Sequence, residues 1–575
     1  MSEQVHKPAT AFRTGVVTTA VLGFAAVLCW RAVDLHVFNK DFLQSQGDAR
    51  YLRVQPVAAH RGMILDRNGE PLAISTPVDS VWVQPRDFMS AQSRWHELAK
   101  LLNLSMKQLN HQVLSRQNKQ FVYLKRHVAP AVAKQVMKLG IPGVSLQREY
   151  KRFYPDGEVT AHVVGFTNVD DKGQEGLELA YDDWLSGQPG SQRVIKDRLG
   201  RVIKHIEQVR APKAGKDLTL SIDRRLQYLA YRELKRAVIK NKARSGSAVV
   251  MDARSGEVLA MVNQPAYNPN KRSDGVSSHY RNRAVTDVFE PGSTIKPFTV
   301  AAALESGRFN SRSKIDTAPG FLKVGGNIVK DTRNYGRIDL TTLIKKSSNV
   351  GATKLALAIK PEYLWDVHSR VGFGETTNSG FPGEASGLLT HASQWHEIER
   401  ATLAFGYGMS VTALQLTRAY SVIANDGKIQ NVSFLRQDEF KSSQQVLKPV
   451  IARQIRNMLK QVVNKGGTGT RAHLAGYSVA GKTGTVKKVT NGGYSEDRYT
   501  AVFAGMVPAS QPRLVMVVTV DEPSNGVYYG GEVAAPVFAA VMSNAVHLMD
   551  IKPDDLSRKS VNMALLQNQI AGVSP

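Results

Sequence analysis

The chain has 575 residues, a formal net charge of +26 and one cysteine, Cys29. Its length predicts two or more folded units, and a single cysteine excludes an internal disulfide framework and cysteine-based metal sites. A basic chain can bind nucleic acid, anionic lipid or an acidic polymer. It contains no H-E-x-x-H pair and no helix-turn-helix, zinc-finger or RNP signature. We therefore expect no metal, no cofactor and no nucleic-acid partner.

The N-terminal region predicts a membrane helix. The stretch "TGVVTTAVLGFAAVLCW", residues 14–30, carries no charge and follows Lys7 and Arg13. Ala32 and Val33 extend it past a snorkelling Arg31, so we predict a cytoplasmic tail over 1–13 and a transmembrane helix over 14–33. A cleavable signal peptide would need a small-residue pattern just after the apolar run, and a lipoprotein would need a small residue just before Cys29. This sequence has neither. Basic residues at a short N-terminus place it in the cytoplasm and the remaining chain outside.

A non-catalytic domain is predicted next, over 34–215. Two strands about an Asn68-Gly69 turn are predicted between residues 63 and 74. Two helical pieces are expected between 94 and 140, the second ending at Gly140. A basic hairpin is predicted around Leu199-Gly200. No catalytic cluster is evident in this part of the sequence.

A second domain is predicted over 216–550, after a Pro-, Gly- and Lys-rich boundary near 210–223. Its first element is an amphipathic helix over 224–240. The predicted strands are two that flank a turn at 253–256 and three near 477–489, 498–508 and 513–523; a helix over 535–550 closes the domain. Short connections favour antiparallel pairing. The sequence therefore predicts an α+β fold with an antiparallel sheet flanked by helices, a helical subdomain and a polar tail over 551–575.

Three short motifs occur in one order along this second domain. Ser293 and Lys296 form S-x-x-K at a predicted helix start, in "FEPGSTIKPFTVAAALESG". Ser347 and Asn349 form S-x-N in "KKSSNVGATKLALAI", and Lys482 begins K-T-G on a predicted strand. Each motif alone is weak, because Ser293 alone could be a helix N-cap. A second S-x-x-K, at 311–314, lacks a following apolar helix and is interpreted as a solvated loop. The ordered set is the signature of penicillin-binding proteins and class A β-lactamases.

The residue types fit acyl transfer by a serine. A hydroxyl is a poor nucleophile until a base removes its proton, and Lys296 shares a helix face with Ser293. A helix N-terminus and burial both favour the neutral amine of Lys296, which can act as a base. Lys482 and Ser347 would add a positive field and a proton relay. We expect the backbone N–H groups of Ser293 and Thr485 to serve as oxyanion-hole donors.

Substrate binding is predicted around the second and third motifs. Asn349 can offer its amide to a substrate backbone. Gly484 lacks a side chain, so an extended peptide could lie against this strand. The hydroxyls of Thr483 and Thr485, beside the charge of Lys482, suit a terminal carboxylate.

The chain resembles the class B penicillin-binding proteins, most closely the division-specific FtsI, or penicillin-binding protein 3, type. The resemblance rests on the three motifs and on text along nearly the whole exported chain, including "RGMILDRNGEPLA", "KRFYPDGEVTAHVVGF", "GLELAYDDWLSG", "NRAVTDVFEPGSTIKPF" and "FGYGMSVTALQLTRAYSVIANDG". It implies a transpeptidase domain of the penicillin-binding-protein and serine β-lactamase fold. A pedestal, dimerisation-like domain and one membrane helix would precede it.

The resemblance implies a serine D,D-transpeptidase that cross-links peptidoglycan stem peptides and releases the terminal D-alanine. β-Lactams would acylate the same serine. By motif match, Ser293 would be the nucleophile, Lys296 the base, Ser347 and Lys482 the relay, Asn349 the amide anchor, and Thr483 and Thr485 the carboxylate site. The family also suggests that Tyr407, Tyr528 and Tyr529 lie near the site.

The implied partners are stem peptides and lipid-linked precursor polymer, β-lactams, the membrane, an FtsW-type glycosyltransferase and other division proteins. The implied location is the bacterial inner membrane at the division site, with the bulk of the chain periplasmic. Three alternatives stay open at this point: an elongation-type class B transpeptidase, a D,D-carboxypeptidase or β-lactamase-like hydrolase, and a scaffold or antibiotic sensor of the same fold.

Overall fold

A computed structural model describes residues 9–42, 52–196, 202–272, 276–439, 443–490 and 493–555. The chain divides into two compact units whose segments alternate along the sequence. Unit 1 comprises 1–60, 77–150 and 187–214, and unit 2 comprises 61–76, 151–186 and 215–575. Unit 2 therefore includes two segments that precede residue 215. The predicted domain bounds 34–215 and 216–550 stay a prediction.

The N-terminal helix α1 (Ala9–Val33) continues into a π-helical turn, Asp34–Phe38. Residues Phe12–Phe38 form the one candidate membrane span among the described residues, with a mean hydropathy of 1.9. A 25-residue helix is about 37 Å long at 1.5 Å per residue, which is enough for a hydrocarbon core of about 30 Å. The predicted helix over 14–33 lies within α1.

Unit 1 contains a three-stranded antiparallel sheet, in which Gly190–Lys196 pairs with both Leu52–Val57 and Val202–Arg210. The antiparallel pair Gly190–Lys196 and Val202–Arg210 confirms the predicted basic hairpin. Its turn at Leu199-Gly200 lies outside the described residues.

The prediction of two helices between 94 and 140 was incomplete. The structure has three helices there, Trp95–Leu102, Met106–Leu114 and Pro130–Lys138, and a strand, Val122–Val128. The strand pairs with the second half of Pro71–Val83, and Val144–Phe153 pairs with the same strand. Buried Phe88 and Trp95 stack with ring centroids 4.7 Å apart in this core. Gly140 follows the third helix with a φ of +59°, as a helix-ending glycine should.

In unit 2, the predicted hairpin near residue 68 is confirmed. Strand Ile64–Leu65 pairs antiparallel with the start of Pro71–Val83. The Asp66 carboxylate accepts hydrogen bonds from the backbone N–H groups of Asn68 (2.7 Å) and Glu70 (2.9 Å), and Gly69 has a φ of +89°. This is an Asx-type turn that ends in a glycine with the positive φ such turns require.

The centre of unit 2 is a five-stranded antiparallel sheet. Its strands are β1 (Ser245–Asp252), β2 (Val258–Gln264), β3 (Ala480–Thr490), β4 (Gly493–Val507) and β5 (Leu514–Asp521), in the spatial order β2-β1-β5-β4-β3. All four pairings are antiparallel, as predicted. Strand β3, which carries K-T-G, is therefore an edge strand of this sheet.

Helices cover both faces of the sheet. The helices of this region are α2 (Arg224–Lys240), α3 (Lys296–Glu305), α4 (Leu340–Lys346), α5 (Asn349–Ala358), α6 (Ala413–Ala424), α7 (Pro449–Val463) and α8 (Ala535–Leu548), of which α2, α6, α7 and α8 pack directly on strands of the sheet. Successive side chains of β4 point to opposite faces of the sheet. Phe503 packs in the core formed with α2 and α8, whereas Val502 packs in the core of the helical subdomain. Helix α3 is apolar nearly all round because this subdomain surrounds it.

The helical subdomain also contains further helices and small hairpins. The further helices are Pro361–Arg370 and Glu397–Leu403. The hairpins pair Lys314–Asp316 with Arg337–Asp339, Phe321–Val324 with Asn327–Lys330, and Lys428–Ile429 with Gln444–Gln445. Elsewhere in unit 2, Phe166–Thr167 pairs with Gly173–Glu175, and Leu218–Thr219 lies parallel to Ile64–Leu65. The predicted α+β class is confirmed.

Candidate active site

Ser293 lies in a tight turn immediately before the central helix. Residues Gly292–Ile295 form one 3₁₀ turn, and α3 begins at Lys296. Gly292 has a φ of +53°, and a Cβ at this position would lie 2.5 Å from Val486 Cγ2. Only glycine therefore lets this turn pack against β3. The half-buried hydroxyl of Ser293 is held beside the strand that carries the third motif.

The buried ammonium of Lys296 joins the first two motifs. Its Nζ lies 3.0 Å from Ser293 Oγ, 3.1 Å from Ser347 Oγ, 2.6 Å from Ser347 O and 2.7 Å from Asn349 Oδ1. All four acceptors are uncharged oxygens. The lysine is 0% exposed and forms no ion pair with any described residue.

Burial lowers the pKa of Lys296 well below its ordinary value of 10.5. The charge of Lys482 lowers this pKa further, and the carboxylate of Asp331 raises it. Desolvation disfavours the ammonium form because the low-dielectric interior does not compensate its charge. Lys296 is thus poised to be a neutral amine that accepts the proton of Ser293.

Lys482 approaches the same serine hydroxyl from β3. Its Nζ lies 2.9 Å from Ser347 Oγ and 3.0 Å from Thr483 O. It is fully buried, and desolvation lowers its pKa from 10.5 to about 7. Ser347 Oγ therefore stands between two lysine amines that are not both charged near neutral pH, since two unpaired buried charges repel each other.

The loop that holds Ser347 and Asn349 is fixed by a carboxylate that the sequence analysis missed. Ser347 caps the C-terminus of α4 with a left-handed φ of +60°, and Ser348 caps the N-terminus of α5. Asp331 accepts hydrogen bonds from Ser348 Oγ (2.6 Å) and from the backbone N–H groups of Asn349 (2.5 Å) and Val350 (3.0 Å). An anionic cap at a helix N-terminus is favourable. Asp331 thereby sets the position of the second motif.

Asn349 uses most of its amide within the protein. Its Oδ1 accepts from Lys296, and its Nδ2 donates to Lys330 O at 3.0 Å. An asparagine amide has two N–H donors, so one N–H remains for a substrate. The predicted substrate contact of Asn349 is thus restricted to that single donor.

The three residues after Lys482 on β3 have separate surroundings. The hydroxyls of Thr483 and Thr468 lie 2.8 Å apart, and Gly530 N donates to Thr485 Oγ1 at 3.0 Å. A Cβ on Gly484 would lie 3.1 Å from Thr294 Cγ2. The missing side chain of Gly484 therefore makes room for the nucleophile turn, and its predicted role in admitting an extended peptide stays a prediction.

Of the three tyrosines predicted near the site, Tyr407 contacts β3. Its hydroxyl accepts a hydrogen bond from Lys487 N at 3.4 Å, and its ring lies edge-on to Tyr494 with centroids 5.1 Å apart. Tyr494 in turn donates to Glu290 Oε1 at 3.0 Å. Burial raises the pKa of Glu290, a residue the sequence analysis did not single out although it lies three positions before Ser293.

Tyr528 and Tyr529 lie together beside Tyr499 of β4. Tyr528 stacks on Tyr499 of β4 at 4.1 Å, and Tyr529 lies against Tyr528 at 4.6 Å. Tyr529 is 55% exposed. Their ring contacts are with each other and with Tyr499, and none joins them to a described residue of the Ser293 cluster. Gly530, the next residue, connects this loop to Thr485.

The structure brings together the five residues predicted to be catalytic: Ser293, Lys296, Ser347, Asn349 and Lys482. Ser311 and Lys314, the second S-x-x-K pair, are both exposed. Within the described ranges, no group of three or more histidine, cysteine or acidic side chains is arranged to hold a metal ion.

Two families match the chain, one in each half. The family described as "Penicillin binding protein transpeptidase domain" matches residues 246–543, and the one described as "Penicillin-binding Protein dimerisation domain" matches 56–220. The chain is 45% identical to "Peptidoglycan D,D-transpeptidase FtsI" of Escherichia coli K12, over 97% of this chain and 96% of that protein. The chain belongs to the class B penicillin-binding proteins. Within them it is of the division-specific FtsI type, as the resemblance implied.

The chain is also similar to further relatives and solved structures. A "Probable peptidoglycan D,D-transpeptidase PbpC" of Pseudomonas aeruginosa is 44% identical over 94% of this chain and 96% of its own length. The solved transpeptidase domain of Burkholderia pseudomallei penicillin-binding protein 3 covers 58% of this chain and 98% of that domain, with 40% identity and a TM-score of 0.54. A peptidoglycan synthetase structure from Bifidobacterium adolescentis covers 88% of this chain and 98% of that one, with 25% identity and a TM-score of 0.70.

Proposed function

We propose that the cluster around Ser293 is the acyl-transfer centre of this chain, which is a peptidoglycan D,D-transpeptidase of septal wall synthesis. The observation that carries the proposal is the 3.0 Å contact between Ser293 Oγ and a fully buried Lys296 Nζ without a carboxylate partner. A nucleophile within hydrogen-bond reach of a base with a lowered pKa is the arrangement that acylation requires.

Acylation begins with proton transfer from Ser293 Oγ to the neutral amine of Lys296. The oxygen attacks the carbonyl carbon of the penultimate D-alanine, and the carbonyl oxygen becomes an oxyanion. The backbone N–H groups of Ser293 and Thr485 are the proposed donors to this oxyanion. One such donor contributes about 2.7–4 kcal/mol in a comparable site.

Collapse of this intermediate forms the ester on Ser293 and breaks the D-Ala-D-Ala amide bond. The departing nitrogen needs a proton. Ser347 Oγ lies within 3.1 Å of both Lys296 Nζ and Lys482 Nζ, so it can pass a proton from either amine to the leaving group. The acceptor amine then attacks the ester carbonyl and gives a proton to the same groups, and Ser293 regains its hydrogen.

Substrate binding is assigned to β3 and its neighbours. Lys482, Thr483 and Thr485 would hold the terminal carboxylate, and the remaining N–H of Asn349 would contact the donor backbone. Since β3 is an edge strand of the sheet, the donor peptide can add to it as a further strand. Gly484 keeps that strand against the nucleophile turn. Tyr407, Tyr528 and Tyr529 are proposed to border the cleft.

The chain is a single-pass inner-membrane protein anchored by α1. We place its N-terminus in the cytoplasm because Lys7 and Arg13 precede the span, and we place residues 34–575 in the periplasm at the division site. Residues 34–215 would form a non-catalytic pedestal, and an FtsW-type glycosyltransferase and other division proteins would bind the pedestal and α1. Exchanging α1 for an unrelated membrane helix should reduce co-purification with the FtsW-type protein, because one of its two proposed contact regions is lost; unchanged recovery would contradict that assignment for α1.

Labelling with a fluorescent penicillin tests the acyl-transfer centre. Ser293→Ala should abolish covalent labelling of the full-length protein in membranes, because the attacking oxygen is gone. Ser311→Ala is the matched control, since it alters the exposed S-x-x-K pair, and it should label like the parent. Labelling of Ser293→Ala at the parent level would refute the proposal.

A further inference from the structure

Two lysine side chains converge on a glycine loop beside the candidate active site. Lys345 and Lys346 end α4, and Lys346 Nζ donates to Gly466 O at 2.7 Å. A Cβ built on Gly466 would lie 3.6 Å from Lys346 Nζ and 4.0 Å from Lys345 Nζ. Both ammonium groups therefore stand over the same loop residue. Lys465, exposed, precedes Gly466 in that loop, and we call Lys345, Lys346 and Lys465 the lysine cluster.

The lysine cluster is not neutralised by the protein. No described acidic side chain forms an ion pair with any of the three lysines. Glu532, the residue after Gly531, pairs with Arg471 at 3.4 Å. A helix C-terminus favours the two lysines of α4, but it does not account for Lys465. Like charges held together without a counter-ion repel each other, so an anionic ligand would be favoured here.

The loop that contains Lys465 and Gly466 is in contact with the K-T-G motif of β3. Thr468 Oγ1 lies 2.8 Å from Thr483 Oγ1 of the K-T-G strand, and a Cβ on Gly531 would lie 2.2 Å from Thr468 O. On the other side, Lys346 is followed directly by Ser347. The lysine cluster thus adjoins the end of β3 where the donor's terminal carboxylate is proposed to bind.

We infer that the lysine cluster is an acceptor subsite that binds a carboxylate of the incoming amine-bearing peptide. The inference rests on the proposed function. The acceptor amine must enter where the nitrogen of D-alanine leaves, so the acceptor's own α-carboxylate takes the position of the departed carboxylate near Thr483. The rest of the acceptor then extends past Thr483 toward Thr468 and the lysines. An acceptor with a second carboxylate on that side would be bound more tightly than a neutral one.

The test compares two acceptors that differ by one charge. The full-length protein in detergent is acylated with a D-alanyl thioester donor, and the ratio of aminolysis to hydrolysis is measured with D-glutamate and with D-glutamine. Lys345→Gln/Lys465→Gln should lower this ratio about threefold for D-glutamate, the scale of two exposed charge contacts, and leave D-glutamine unchanged. The matched control is Lys428→Gln/Lys448→Gln, which removes the same charge from exposed positions elsewhere in unit 2; both ratios should stay at the parent values.

The outcomes separate this inference from the proposed function. Fluorescent-penicillin labelling reports acylation of Ser293 alone and should be unchanged in both double variants; its loss in Ser293→Ala stays the test of the centre itself. A ratio that falls equally for both acceptors, or for neither, overturns the acceptor subsite. Raising the salt concentration in the parent gives a second readout that needs no variant. It should reduce the preference for D-glutamate by screening, and a salt-independent preference would also overturn the subsite.

Discussion

At the scale of single residues, the decisive feature is that two lysines share one serine hydroxyl inside the protein. Lys296 and Lys482 both lie about 3 Å from Ser347 Oγ, and both are fully buried. The protein stabilises neither ammonium with a direct carboxylate contact. Burial thus gives Lys296 the properties of a base, and it brings the pKa of Lys482 close to neutral pH.

This arrangement gives acylation an alkaline limit. Desolvation holds the pKa of Lys482 at about 7, so the free enzyme loses this positive charge as the pH rises through that value. The second-order rate constant for acylation by an anionic penicillin should then decrease from about pH 7 to about pH 9, since this constant reports free-enzyme pKa values. Rapid-quench labelling over this range measures it.

Lys482→Arg is the control for this limit. Arginine stays charged throughout the range, so the decrease should disappear even if the absolute rate is lower. An alkaline limb of the same position in Lys482→Arg would show that another group titrates, and would contradict the assignment to Lys482.

At the scale of elements, the sequence was sufficient where the pattern is local. Helix α2 and the strands of the central sheet were predicted because their apolar periodicities are long and their turns short. Strand Val122–Val128 was missed because its partner, Pro71–Val83, is about forty residues away in sequence. Asp331 was missed for the same reason: its contacts with Ser348 and Asn349 exist only after a hairpin folds against α5.

Asp331 is expected to act through the loop that it caps. The Asp331 carboxylate accepts three hydrogen bonds, one from a hydroxyl and two from backbone N–H groups. Asp331→Asn removes the negative charge and replaces one of the two accepting oxygens with an NH₂ group. The second-order acylation constant should fall about tenfold, as expected for a hydrogen bond to a charged group worth about 1.5 kcal/mol. Quantitative penicillin labelling with time measures the effect.

Asp223 provides the matched control for this change. It caps α2 by accepting from the N–H groups of Arg225 and Leu226, but it has no contact with the second motif. Asp223→Asn should therefore lower the melting temperature about as much as Asp331→Asn does, because both remove a helix cap. It should leave the acylation constant at the parent value. Equal acylation constants in Asp331→Asn and Asp223→Asn would contradict a positioning role for Asp331.

At the scale of the whole molecule, the chain combines a membrane helix, unit 1 and an acyl-transfer unit. The sequence predicted all three kinds of part. It did not predict that segments 61–76 and 151–186 belong to unit 2, because no local pattern records which unit a segment packs in. Within unit 2 these segments are joined by a buried cluster, in which Glu178 accepts hydrogen bonds from Arg61 (2.8 Å) and Arg152 (2.6 Å).

The membrane helix should be separable from the chemistry. Deleting residues 1–38 removes α1 and its π-helical extension, which supply none of the side chains assigned to the acyl-transfer centre. The truncated protein should move from the membrane to the soluble fraction, because the apolar span is lost, and should still be labelled by penicillin. Loss of labelling in a truncated protein with an unchanged melting transition would contradict this separation.

Mapping the covalent adduct tests the central assignment most directly. The full-length protein is reacted with a penicillin, digested, and analysed by mass spectrometry. We predict a mass increase of one penicilloyl group on the peptide that contains Ser293, stable on the time scale of the digestion under acid conditions. An adduct on a peptide containing Ser347 or Ser311, with Ser293 unmodified, would contradict the assignment of Ser293 as the nucleophile.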